Sequence, residues 1–132
     1  MITYATFGVK DHAASTKFFE AVLAPLGYSK FYDEHGHAGF ALDGNPEGGH
    51  TIWLGPPFNG EEATPSNGHM VGFAAPSRAA VRAFHEAALA QGGTCEGPPG
   101  VREAYGPEVY MAYVRDPVGN KMSAIFTGPE AE

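Results

Sequence analysis

Tyr113–Phe126 reads YVRDPVGNKMSAIF: two runs rich in β-branched and aromatic residues, Tyr113–Arg115 and Lys121–Phe126, on either side of Asp116-Pro117-Val118-Gly119-Asn120. The central five are turn chemistry. Proline presets one dihedral, glycine and asparagine tolerate positive φ, and an aspartate can hydrogen-bond its own backbone. The stretch predicts a β-hairpin. Centred on Val118, it sets Tyr113 opposite Ser123 on one face, and what that face looks into decides the function.

Working outward, Val109–Arg115 extends the first arm, and Gly97–Tyr105 before it reads as an extended loop after a short strand at Thr94–Glu96. Further back, Arg78–Gln91 is a helix with Val81, Phe84 and Ala88 on one face. Ser77 is its N-cap and Gly92-Gly93 its C-terminal glycine cap. His69–Ala75 reads as the strand that feeds it. The segment Gly55–Gly68, rich in proline and glycine, is a linker. Ahead of it the same plan occurs once more: a strand at Ile2–Val9, a cap at Asp11, and a helix at about His12–Ala24 stopped by Pro25 and Gly27. Strands follow at Tyr28–Asp33, His37–Leu42 and His50–Leu54. Phe7, Asp11, Phe18, Leu23 and Gly27 each have a counterpart 66 residues on, at Phe73, Ser77, Phe84, Leu89 and Gly93. Apolar face, cap and terminal glycine coincide without a gap. The expected architecture is therefore α+β, two tandem βαβββ modules in one domain. The first module runs over about 1–57, a linker over 58–67, the second module over 68–128 and a polar tail over 129–132.

The 132 residues suit one such domain, and 43% hydrophobic residues suffice for a core without disulfides. A net charge of −7 argues against nucleic acid or an anionic membrane as partner. No window nears the roughly 18 apolar residues of a membrane span. The N-terminal stretch has no basic and apolar sequence of the signal-peptide kind. With a single cysteine, Cys95, the composition fits the reducing cytoplasm.

Gly8-Val9-Lys10-Asp11 leading into Phe18-Phe19, the turn Asp116–Asn120 and the duplicated plan together resemble the vicinal oxygen chelate superfamily. Its members include glyoxalase I, bleomycin and fosfomycin resistance proteins and extradiol dioxygenases. The resemblance spans the chain. It implies a curved mixed sheet around a cleft, helices outside, a cytoplasmic homodimer, and in metal-dependent members a divalent ion held by His and Glu on the first and last strands of each module. Such an ion chelates two adjacent substrate oxygens. Here the four positions fall on Tyr4, Met70, Trp53 and Ser123. Phenol, thioether, indole and alcohol are not a usual set for Mg, Mn, Fe(II) or Zn.

The expectation is then a glyoxalase-like protein with no cofactor that binds a small aromatic or apolar molecule. Tyr4, Trp53, Met70, Met111, Tyr113 and Ser123 form the ligand-binding cleft, and Arg102, on a loop before the seventh strand, is available to an anionic group. No catalytic residue is assigned. Two alternatives remain. One is a metal-dependent enzyme, lactoylglutathione lyase-like or dioxygenase-like, with the metal relocated to His69 and His50. The other is a non-catalytic interaction module. His35-Gly36-His37 reads as a polar hairpin tip and Cys95 as a buried, inert thiol, while His12 and His85 have no evident partner. No Ser-His-Asp spacing and no phosphate or dinucleotide loop is present.

Overall fold

A computed structural model describes residues 1–130, so the polar tail expected at 129–132 lies in part outside the described residues. The chain folds as two tandem βαβββ modules. The first comprises β1 (Tyr4–Gly8), α1 (His12–Leu23), β2 (Tyr28–Glu34), β3 (His37–Leu42) and β4 (Thr51–Gly55). The second comprises β5 (Val71–Ala74), α2 (Arg78–Ala90), β6 (Thr94–Val101), β7 (Val109–Arg115) and β8 (Lys121–Thr127). The sheet orders correspond: β1-β4-β3-β2 and β5-β8-β7-β6. In each, the first strand runs parallel to the last, and the remaining pairs are antiparallel. The expected mixed-sheet fold of two tandem modules is present as two four-stranded sheets, with no β1–β5 pairing among the described residues.

Both helices start as their caps dictate. Asp11 accepts from the Ala14 N–H at 3.1 Å and Ser77 Oγ from the Ala80 N–H at 3.0 Å. After α1, Pro25 sits in a 3₁₀ turn at Ala24–Leu26, which Gly27 ends at φ 94°. After α2 the left-handed residue is Gly92, at φ 91°. Gly93 answers a different need: a Cβ there would lie 2.5 Å from the Arg115 carbonyl oxygen and 2.6 Å from the Phe18 ring. The repeat is faithful at Phe7 and Phe73, each 4% exposed, and at the fully buried Phe18 and Phe84. It breaks along one helical stripe. Phe19 and Leu23 of α1 are buried, but their counterparts His85 and Leu89 lie half out of the core. A histidine in place of phenylalanine narrows the apolar face of α2.

The modules share one core. α1 packs on α2, and the buried cluster draws on both helices and both sheets. Tyr28 meets Phe73 edge-on at 5.9 Å, and Asn120 Nδ2 donates to the Gly8 carbonyl at 3.3 Å. The β7–β8 turn presents that asparagine. Asp116 Oδ1 accepts the N–H groups of Val118, Gly119 and Asn120 at 2.8–3.0 Å, and its Oδ2 accepts from Asn120 Nδ2 at 2.9 Å.

Three expectations need correction. Gly97–Tyr105 is not all loop, because β6 continues to Val101 and pairs Gly97 with Tyr113 and Gly100 with Met111 across two register shifts. Pro98 and Pro99 fall within the second register shift, between the Gly97–Tyr113 and Gly100–Met111 pairs, where neither has a ladder partner to bond. Cys95 is exposed, not buried, because it sits on that edge. His12 does have a partner: its Nε2 lies 2.8 Å from Asp33 Oδ1.

Candidate functional site

Strand alternation gives each sheet two faces. Phe7, Leu54 and Phe40 point to the helices and are buried. Their neighbours Thr6, Trp53 and Gly39 therefore form the opposite, open face, in register across β1, β4 and β3. In the second module Phe73, Met122 and Val114 belong to the core, and Gly72, Ser123 and Tyr113 line up across β5, β8 and β7 on the open face. Tyr113 does pair with Ser123. Tyr4 and Thr6 lie on one side of β1, as do Met70 and Gly72 in the β5 region.

Three adjoining cavities run along this face and into the seam between the modules. The seam between the modules holds one of about 530 Å³, walled by Ile2, Tyr4, His50, His69, Met70 and Phe73 among others. Tyr28 also lines it, and burial raises its phenol above the ordinary tyrosine range. Thr6 is shared with a cavity of about 730 Å³ over the first sheet, where Gly8, His37 and Gly55 meet the linker at Pro56–Thr64. Met70 is shared with one of about 590 Å³ over the second sheet, lined by Glu96, Arg102, Tyr105, Tyr113 and Lys121. All three fall within the size range of small-molecule sites.

The sequence-predicted residues divide among these surroundings. Tyr4 and Met70 stand exposed at the seam, at 61% and 41%. His50 and His69 line the same cavity. Arg102 and Tyr113 line the second-sheet cavity, with the guanidinium carbon 5.4 Å from the Tyr113 ring centroid. Trp53 lines none of the three. It lies edge-on to Phe31 and Tyr32, over Gly39, and its indole N–H donates to Thr51 Oγ1 at 3.1 Å. Met111 and Ser123 are buried beneath the face rather than presented on it. Met111 Sδ accepts from the Tyr113 hydroxyl at 3.4 Å, and Ser123 packs against Gly72. Sequence reasoning passed over Lys121, whose Nζ lies 5.5 Å from the Tyr113 ring centroid. The signal was there: Lys121 is two residues from Ser123, so a strand puts both on one face.

The register also tests the metal site of the resembled family. Trp53 has Thr6 beside it and Ser123 has Gly72, so the next neighbours on the face supply no imidazole or carboxylate either. Among the described residues no three His, Cys, Asp or Glu side chains come together as a metal site. His50 and His69 offer two nitrogens at the seam and lack a third donor of that kind. The donor set does not fit a divalent ion.

A family model, the Glyoxalase/Bleomycin resistance protein/Dioxygenase superfamily, matches residues 1–123. The chain belongs to that superfamily. A glyoxalase/bleomycin resistance protein from Albidiferax ferrireducens T118 is similar to it throughout, at 39% identity and a TM-score of 0.84 over 95% of this chain and 98% of that one. A glyoxalase-related enzyme from Fulvimarina pelagi, at 18% identity, aligns with a TM-score of 0.73 over 100% and 95%. The fosfomycin resistance protein FosX from Mesorhizobium loti, at 17%, gives 0.66 over 98% and 92%. These last two likenesses are of fold alone. No curated protein matches the chain in sequence. The chain has the paired modules and a D-P-V-G-N turn, and carries Tyr4 on β1, Met70 just before β5, Trp53 on β4 and Ser123 on β8.

Proposed function

We propose that this glyoxalase-superfamily chain is a cytoplasmic small-molecule binder whose cleft takes an aromatic or apolar ligand without a metal centre. The observation that carries this reading is the adjoining set of cavities along the open face and the seam between the modules, with Ile2, Tyr4 and Met70 exposed at its middle. Side chains of this kind, left out of a core that is otherwise well filled, favour an apolar occupant. A titration with planar apolar compounds tests it. Trp53 is the only tryptophan and hydrogen-bonds Thr51, which lines the seam cavity, so its fluorescence reports occupancy there. Binding is expected to change Trp53 emission and to weaken at least about tenfold in Met70→Lys, which puts a charge where the apolar body lies. An emission that no compound moves, with no binding by equilibrium dialysis, overturns the reading.

The competing reading is a metal-dependent lyase or oxidoreductase, and it rests on His50 and His69 lining one cavity. Elemental analysis after dialysis separates the two: about one divalent ion per chain would favour the enzyme. The exposed apolar side chains at the seam also support a homodimer, which sedimentation velocity checks.

A further inference from the structure

We propose that the second-sheet end of the cleft is a carboxylate-recognition site, so that the ligand is an apolar molecule bearing an acid group. The proposal rests on the cleft reading above and adds polarity to it.

Three observations carry it. Arg102 is pre-oriented: its Nη1 donates to the Gly100 carbonyl at 2.9 Å and its Nη2 to the Pro98 carbonyl at 2.7 Å. Space for the guanidinium is cleared by two glycines of the Gly97-Pro98-Pro99-Gly100 run. A Cβ on Gly97 would come within 3.1 Å of Nη2, and one on Gly100 within 3.3 Å of Nη1. Second, the guanidinium has no carboxylate partner among the described residues. Among the described residues it forms no ion pair, although it carries five N–H donors and two are occupied by those carbonyls. Third, a second cation converges on the same ring, because Lys121 Nζ and the Arg102 guanidinium both stand about 5.5 Å from the Tyr113 centroid.

Two acids share the cavity. Glu96 is engaged by Arg115 at 3.3 Å, with Lys121 at 4.0 Å, and Glu103 is exposed on the 3₁₀ turn Glu103–Tyr105 and in no ion pair among the described residues. The cavity's two acids balance its two cations in number, so the anion preference rests on Arg102, whose remaining guanidinium donors have no acidic partner among the described residues. A planar guanidinium takes a carboxylate through parallel donors. Met70, shared by this cavity and the seam, places the apolar body of such a ligand towards Tyr4 and Ile2.

The test uses naphthoate and its neutral analogue naphthamide, followed by equilibrium dialysis with the whole chain. Wild type is expected to bind naphthoate about tenfold or more tightly than naphthamide, with the preference shrinking as salt rises. Arg102→Gln is expected to erase the preference and leave naphthamide binding intact. A purely structural Arg102 would instead lower both affinities together. If Arg102→Gln loses both ligands, Lys121→Met decides: a selective loss of naphthoate supports the site, and an unchanged preference overturns it. Equal binding of the two compounds by wild type overturns the carboxylate site and leaves the apolar cleft standing. Binding of neither overturns both.

Discussion

His85 occupies, on α2, the place that Phe19 takes on α1, and its Nε2 is buried without a hydrogen-bond partner among the described residues. Burial disfavours the imidazolium and lowers its pKa. The sign follows from linkage. The folded chain binds the proton less readily than the unfolded one, so this residue's contribution is present above the unfolded value of about 6.5 and is lost as pH falls from there towards the lower folded value. Denaturation midpoints measured across that window should drop in wild type more than in His85→Gln. Parallel curves for the two proteins would show that His85 does not titrate against the fold.

At the scale of elements, the junction after α2 is closed tightly by backbone. Gly93→Ala would drive a methyl group into the Arg115 carbonyl oxygen, the Phe18 ring and the Ala88 carbonyl oxygen, all within 2.9 Å. Two of the three are backbone and cannot swing away. A loss of about 1–3 kcal/mol is expected from chemical denaturation, and a neutral outcome would mean that β6 shifts bodily outward. The Gly27 and Gly93 correspondence in the sequence pointed to this place but mistook the reason, since conformational freedom is supplied by Gly92 and clearance by Gly93.

Elements governed by periodicity and caps were legible: α1 and α2 begin at the predicted residues because Asp11 and Ser77 bond the next turn. The second half of β6 was not, because Gly97–Gly100 has neither alternation nor β-formers and is held in the sheet only by β7. For the candidate site, alternation grouped Tyr113 with Met111 and Ser123, but it has no information on depth. Met111 and Ser123 are overlaid and buried, while Tyr113 is not. The position of Trp53 against Phe31 and Tyr32 depended on a register shift in β2 between Lys30 and Tyr32, which no local pattern announces.

For the molecule as a whole, the two sheets are coupled through side chains, since no backbone hydrogen bond joins β1 to β5 among the described residues. The shared core predicts that damage to one module is felt in the other. Phe84→Ala, at a fully buried position of α2, should cost about 3–5 kcal/mol. The unfolding transition reported by Trp53, in the first module, should move by the same amount as one followed by far-ultraviolet circular dichroism. A Trp53 transition left in place would show that the modules unfold independently. The outer strands have a different consequence. Of the four edge strands, β1, β2, β5 and β6, two carry register shifts, β2 and β6; β6 adds Pro98 and Pro99, which have no N–H to offer an incoming chain. At these two edges, therefore, copies of the protein find no clean ladder to extend, which disfavours strand-by-strand growth there.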